Sequence, residues 1–130
     1  MSAPKPKNTK SRLHKRNKNR ERYDLSALLE ATPELKNYIV PNKLGEDSVN
    51  FADPKAVKLL NTALLKHYYD VDYWEFPDEN LTPPIPGRAD YIHHMADLLM
   101  ENNFGKLPEG HKITCVDIGT GASCIYPIIG

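Results

Sequence analysis

The chain has 130 residues, a size that fits one small domain, and its 17 basic and 17 acidic side chains give a net charge of zero. It has no apolar run long enough for a signal peptide or a membrane span, so we expect a cytosolic protein without a membrane partner. Its two cysteines, Cys115 and Cys124, have neither metal-type nor redox-type spacing, and we expect reduced thiols.

The charge is distributed unevenly, because the first 22 residues are strongly basic. Residues 1–22 contain nine Lys or Arg and a single acid, Glu21, for a net charge of +8, whereas residues 23–130 carry −8. Residues 1–22 also contain few apolar side chains. Burying them cannot offset the entropy lost on ordering, and we therefore expect this segment to be disordered. The charge favours a polyanionic partner, although a solubilising tail would have the same composition.

Cap signals and apolar spacing predict four helices after this arm. Asp or Thr followed closely by Pro is typical of a helix start, and apolar residues three or four apart mark a buried face. The buried stripe of the last helix is predicted to be Ile92, Met95, Ala96 and Leu99. The helices are predicted over 25–30, from Pro33 to before Pro41, over 54–68 and over 89–102, with a loop at 42–50 that meets an extended piece at 48–51.

An aromatic and proline-rich segment connects the last two predicted helices. Tyr73, Trp74 and Phe76 could stack on bases, but Trp and Phe beside such a loop more often anchor it to the core, and we favour the core. The prolines between 77 and 87 hold the backbone extended or turning. They can fix the position of Arg88, whose guanidinium can bind the carboxylate of a ligand or of a nearby aspartate.

Metal ligands with a recognisable spacing are missing from the sequence. His93 and His94 are adjacent, so they face different directions on a regular helix and cannot both bind one ion. His67, Asp70 and Asp72 complete no zinc pattern. We therefore predict no metal site.

The run 113–118 is predicted to form a buried strand that leads into a glycine turn. Its β-branched residues suit a strand covered on both faces, as in a parallel sheet. Gly119 and Gly121 let the backbone turn sharply and approach a ligand, and Asp117 places a carboxylate at the mouth of the strand. Ligands bind beyond the carboxyl ends of parallel strands, so this turn is a candidate ligand site, with a ligand-free glycine turn as the alternative.

Several runs of residues resemble one family. Residues 117–121, Asp-Ile-Gly-Thr-Gly, resemble motif I of S-adenosylmethionine (SAM)-dependent methyltransferases. The longer run 117–127 is similar to the 23S ribosomal RNA adenine-N6 methyltransferases (RlmF) and to their eukaryotic relatives that methylate U6 small nuclear RNA. Residues 13–17, 51–58 and 83–93 resemble further blocks of that family.

This resemblance implies an α/β fold in which an N-terminal helical RNA-binding part leads into the first strand and glycine loop of a Rossmann-like SAM-dependent methyltransferase domain. A single parallel strand cannot form a sheet, so we expect the sheet to be incomplete and the chain to be the N-terminal part of a longer enzyme. The domains are predicted to be a disordered RNA-binding arm at 1–22, a helical subdomain with the proline-rich segment at 23–87, and the start of the SAM-binding domain at 88–130.

The resemblance also implies site residues. In the family, the Arg at the position of Arg88 contacts the carboxylate of the SAM methionine, and the family's catalytic Asn-Pro-Pro-Phe-like motif is absent from these residues. We therefore name no catalytic residue and expect the chain alone to be inactive. The candidates for cofactor binding are Arg88, Asp117, Gly119 and Gly121, and those for RNA binding are His14, Arg16, Lys18 and Arg20.

The function implied is SAM-dependent methylation of N6 of one adenine in 23S ribosomal RNA, free or in an assembling large subunit, by a monomer in the cytoplasm. The ribosomal branch is favoured over the small-nuclear-RNA branch by residues 86–91, Pro-Gly-Arg-Ala-Asp-Tyr. An RNA-binding module that leaves the chemistry to another chain is the main alternative. A SAM-dependent enzyme acting on a small molecule or a protein is the third hypothesis, and the basic arm argues against it.

Overall fold

The computed structural model describes residues 12–21 and 23–130. The elements are α1 (Leu25–Ala31), a 3₁₀ helix (Pro33–Tyr38), β1 (Ile39–Pro41), β2 (Asp47–Val49), α2 (Pro54–Tyr69), α3 (Ile85–Glu101), a second 3₁₀ helix (Gly110–Lys112) and α4 (Ile125–Ile129). None of the described helices is long and apolar enough to cross a membrane. The predicted arm's residues 1–11 and 22 lie outside the described residues.

Helix α2 forms the centre of the core. The Asp53 carboxylate accepts a hydrogen bond from the Lys55 N–H at its start, and Asp70 ends it in the left-handed conformation, with φ of 55°. Its buried face contacts α1, the first 3₁₀ helix, β2 and α3. Each large apolar side chain that is fully buried contributes about 1.5–3 kcal/mol. The largest of these are Leu28, Leu35, Leu60, Leu64, Leu65 and Ile85.

The helices predicted from cap signals are confirmed, with two differences at their boundaries. The second short helix ends at Tyr38 rather than at Pro41, because the residues after it pair as β1 with β2 in an antiparallel ladder. Helix α3 begins at Ile85, four residues before the predicted start. Pro86 lies in its first turn, where the missing N–H has no helical partner to lose.

The apolar face predicted for α3 is only partly covered. Met95 and Leu99 are 42% and 37% exposed, and Ile92 and Ala96 are intermediate. The buried residues of this helix are Ile85 and Ala89, in its first two turns. The predicted stripe is therefore wrong as a description of burial, because spacing identifies an apolar face but not the element that covers it.

The buried strand predicted at 113–118 is wrong for this structure. These residues are irregular, and Val116 and Ile118 are 84% and 93% exposed. A strand needs a neighbour for its backbone hydrogen bonds, and the described residues contain one sheet, the two-stranded β1–β2 ladder. The prediction of an incomplete sheet is confirmed.

Residues 12–21 lie against α3, so the expected disorder does not hold for this part of the arm. His14, Asn17 and Asn19 are only 8%, 4% and 2% exposed. Disorder was expected because the segment has few apolar side chains to bury, whereas polar contacts hold it in place. The boundaries at residues 22 and 87 stay a prediction.

Candidate functional site

A cleft of about 390 Å³ lies between the proline-rich segment, α3 and the glycine turn. It is lined by residues 80–84, Arg88 and residues 121–123. Two of the four predicted cofactor-binding residues, Arg88 and Gly121, are thus brought together. Gly119 and Asp117 are exposed and do not line the cleft.

The glycines of the turn are required by backbone conformation. Gly119 and Gly121 have φ of +74° and +70°, where an L-residue costs roughly 1–2 kcal/mol. A Cβ at either position would meet no atom within 4 Å. Space is therefore available beside both glycines, and the left-handed backbone is what a larger residue would oppose.

Arg88 lies one turn into α3, half-buried, with its guanidinium carbon 5.9 Å from the centre of the Tyr126 ring. Among residues 12–21 and 23–130, no Asp or Glu forms an ion pair with it. The alternative that a nearby aspartate holds this side chain is therefore not realised within that part of the chain. Its five N–H donors remain available to an anion in the cleft.

Asp90, the aspartate nearest to Arg88 in sequence, is engaged by the arm. Its Oδ1 accepts hydrogen bonds from the His14 backbone N–H at 2.5 Å and from Asn17 Nδ2 at 3.1 Å. Oδ2 lies 3.3 Å from His94 Nε2. Burial opposes ionisation, but these hydrogen bonds and the attraction of His94 lower the pKa of Asp90 below its usual value.

Asp97, two turns further along α3, holds the same part of the arm. Its carboxylate lies 2.6 Å from His14 Nε2 and accepts a 2.6 Å hydrogen bond from Arg16 Nη2, which also donates to the His93 carbonyl. The hydrogen bond from His14, followed by that from Arg16, lowers the pKa of Asp97 to about 2. The predicted RNA-binding residues His14 and Arg16 thus face the helix.

The other two predicted RNA-binding residues are Lys18 and Arg20. Lys18 is exposed, although its Nζ donates to the Tyr68 carbonyl at 2.8 Å and lies 5.1 Å from the centre of the Tyr69 ring. Arg20 is partly exposed. Arg12 and Lys15, which were not predicted as site residues, are exposed cations of the same segment.

The arm also brings three possible metal ligands together. Ligand atoms of His14, His94 and Asp97 lie within 4.8 Å of one another. The Arg16 backbone N–H donates to His14 Nδ1, so the neutral ring carries its proton on Nε2 and donates it to Asp97. A metal ion at Nε2 would displace that proton, so the geometry is explained by hydrogen bonds. The absence of a metal site stays a prediction.

Two buried side chains that were not predicted as site residues bond to the cleft lining or to a residue next to it. Asn61 of α2 accepts a 2.9 Å hydrogen bond from the Ile85 N–H, at the start of the helix that carries Arg88. Trp74 Nε1 donates to the Ser123 carbonyl at 2.8 Å. A polar residue on the apolar face of α2 was the available signal for Asn61. Core packing of Trp74 is confirmed, because it is 7% exposed.

Comparison with known families gives a match over nearly the whole chain. A family model described as RNA methyltransferase matches residues 7–130. Proteins named ribosomal RNA large subunit methyltransferase F from Serratia proteamaculans and Yersinia pestis are 54% and 57% identical over 121 residues. Each alignment covers 93% of this chain and 36% of the relative, so the chain spans about a third of the length of these relatives.

Solved structures with a similar fold carry the name METTL16. The METTL16 methyltransferase domain has a TM-score of 0.72 and 37% identity, covering 91% of this chain and 44% of that chain. The N-terminal domain of human METTL16 in complex with SAH has a TM-score of 0.74 and 35% identity, with the same coverage. The catalytic domain in complex with MAT2A 3′UTR hairpin 6 has a TM-score of 0.73 and 37% identity, covering 91% and 39%. The predicted resemblance and fold class are confirmed.

Proposed function

The chain belongs to the RNA methyltransferase family, and from this premise we propose that it is the N-terminal part of a SAM-dependent enzyme that methylates N6 of an adenine in 23S ribosomal RNA. The observation that carries the proposal is the cleft in which Arg88 and Gly121 meet. We expect the enzyme to act in the cytosol as a monomer, on free RNA or on an assembling large subunit.

The cleft suits the amino-acid end of SAM. Its volume of about 390 Å³ lies in the range typical of small-molecule sites. A guanidinium can hold a carboxylate with two parallel hydrogen bonds, and we assign this role to Arg88. Gly119 and Gly121 would allow close approach of the backbone, with Asp117 hydrogen-bonding the cofactor. A METTL16 domain solved with SAH, the product left when SAM has given up its methyl group, supports this assignment.

SAM would supply the methyl group, and the described residues would orient it. Methyl transfer depends mainly on placing the acceptor nitrogen in line with the donor methyl. Arg88 and the glycine turn would fix the donor side of that geometry. The chain has no Asn-Pro-Pro-Phe-like motif to hold the adenine, so we assign none of these residues to the transfer step and expect the 130 residues alone to be inactive.

We propose that the arm binds RNA with its outward cations. His14 and Arg16 are engaged with α3, so their contribution is to hold the arm in place. For each phosphate that an exposed cation neutralises, the slope of log affinity against log salt concentration should become steeper by roughly 0.7–0.9. A METTL16 catalytic domain solved with an RNA hairpin supports an RNA partner. The residues we assign to phosphate contact are Arg12, Lys15, Lys18 and Arg20.

The test of the cofactor site is SAH binding by the complete polypeptide, measured by calorimetry. Arg88→Ala removes a charge-assisted contact, so we expect affinity to fall about 10- to 100-fold. Lys106→Ala, an exposed cation away from the cleft lining, is the matched control. Equal affinity of wild type and Arg88→Ala would refute the assignment.

The test of the reaction is methylation of ribosomal RNA taken from a strain that lacks the enzyme. The complete polypeptide should restore one N6-methyladenine in 23S RNA, and Arg88→Ala should restore it far more slowly. If no adenine is modified and the protein still binds RNA through residues 12–21, the binding-module alternative is favoured. That alternative draws on the missing base-binding motif.

A further inference from the structure

Trp74 makes a hydrogen bond to the end of the glycine turn. Its indole is 7% exposed, and Nε1 donates to the Ser123 carbonyl at 2.8 Å, across 49 residues of sequence. Ser123 is the last residue of the cleft-lining run 121–123. Cys124, which follows, has φ of 51° and leads into α4. The bond therefore lies where the turn ends.

This hydrogen bond has no equivalent elsewhere in the turn. Among the described residues, the segment 114–123 makes no other hydrogen bond to the rest of the chain. Residues 114–122 are exposed throughout. Burial does little to fix their conformation, so a single buried donor carries an unusual share of the restraint.

The indole itself is held by its neighbours. Its ring meets the ring of Phe76 edge to face, with centroids 4.9 Å apart, and Phe76 is 4% exposed. Lys58 of α2 donates to the Phe76 carbonyl at 2.6 Å and lies 4.4 Å from the centre of that ring. Further hydrogen bonds from Lys58 reach Glu75 and Asp78. Residues 74–78 thus form a strap that is fixed to the central helix.

From these contacts we infer that Trp74 is a positioning residue, which holds the carboxyl end of the glycine turn against the strap and so shapes the cleft before the cofactor arrives. The inference rests on the proposed function, because it assumes that the cleft binds SAM. Among the neutral aromatic side chains, only tryptophan offers an N–H donor and no acceptor. A site that is already shaped binds more tightly, since less conformational freedom is lost on binding.

The direct test is Trp74→Phe in the complete polypeptide. Phenylalanine keeps an aromatic contact with Phe76 but has no N–H, so the bond to Ser123 is lost. We expect SAH affinity to fall about three- to tenfold, as for one neutral hydrogen bond. In methylation assays the KM for SAM should rise by a similar factor with kcat little changed. Tyr73→Phe, an 82% exposed neighbour, is the control and should leave both unchanged.

Amide hydrogen exchange of residues 119–123 tests the restraint without any ligand. Exchange should be faster in Trp74→Phe than in wild type, while exchange in the core of α2 stays unchanged. Trp74 is the only tryptophan of these 130 residues. Subtracting the fluorescence emission spectrum of Trp74→Phe from that of wild type isolates the emission of Trp74, which should shift when SAH is added.

The outcomes separate the two proposals. If wild type binds SAH and the variant matches it in affinity and exchange, the positioning role is overturned and the cofactor site stands. If wild type binds no SAH, the proposed function falls, and exchange alone decides whether Trp74 restrains the turn. Unchanged exchange in the variant would overturn that restraint.

Discussion

Replacing Asn61 should destabilise the protein at the junction of α2 and α3. This side chain is 4% exposed; its Oδ1 accepts the Ile85 N–H at 2.9 Å, and its Nδ2 donates to the Val57 carbonyl at 2.8 Å. In an α-helix the Val57 carbonyl also accepts the backbone N–H of residue 61. It therefore keeps a hydrogen bond when Nδ2 is removed, and the loss of Nδ2 costs little. The Ile85 N–H, at a fully buried residue, would lose its acceptor.

The magnitude follows from that one orphaned donor. Leaving a buried N–H unsatisfied costs about 1–3 kcal/mol, so we expect Asn61→Ala to lower the free energy of unfolding by about 2 kcal/mol. With an m-value of about 2 kcal/mol/M in urea, the unfolding midpoint would fall by about 1 M. Urea unfolding followed by far-UV circular dichroism measures both values.

Two further variants separate the loss of this hydrogen bond from a change in packing. Thr62→Ala removes a hydroxyl that, within the described residues, donates to the Lys58 carbonyl of the same helix, and it should change stability by about 0.5 kcal/mol or less. Asn61→Leu keeps the number and branching of the side-chain heavy atoms but offers no acceptor, so it should lose about as much stability as Asn61→Ala. If Asn61→Leu is as stable as wild type, or if Thr62→Ala costs as much as Asn61→Ala, the reasoning fails.

The remaining predictions concern the contacts between the arm and α3. Burial, and then the charges of the arm, lower the pKa of His93 below 6.5, so the unfolded chain binds the proton more readily and stability should fall as pH drops below that value. His93→Gln should flatten this dependence between about pH 7.5 and about pH 5.5 in urea unfolding, whereas exposed His111→Gln should not. The pKa of Asp97 is lowered from 3.8 to about 2, so its contribution is complete above 3.8 and is lost as the pH falls towards 2. At neutral pH, Asp97→Asn should speed tryptic cleavage within residues 12–21, and unchanged cleavage relative to Glu101→Gln would contradict the docking.

Local chemistry made the helices predictable. The side chains of Asp24 and Asp53 accept hydrogen bonds from backbone N–H groups two or three residues later, so the pattern that starts each helix is contained in adjacent residues. The contacts between the arm and α3 could not be predicted in this way. His14 bonds to carboxylates 76 and 83 residues away, and no periodicity of the sequence records such a pairing.

The candidate site divides along the same line. Residue type and resemblance indicated that Arg88 and Gly121 serve one ligand, and both line the same cleft. The β-branched run at 113–118 indicated a strand, but strand formation depends on a partner that the run itself does not specify. Trp74 was correctly expected in the core, while its N–H donation to Ser123 depends on where a distant turn comes to lie.

Helix α3 carries both the carboxylates that bind the arm and the guanidinium that lines the cleft, so the length of the helix sets the distance between them. Arg88 and Asp97 are nine residues apart, which is about 13.5 Å along a helix that rises 1.5 Å per residue. One inserted residue between Asp90 and Asp97 would turn the second carboxylate by about 100° around the axis and separate it from His14. Side chains on this helix can be exchanged one at a time, but the count of residues between its two attachment points is fixed by geometry.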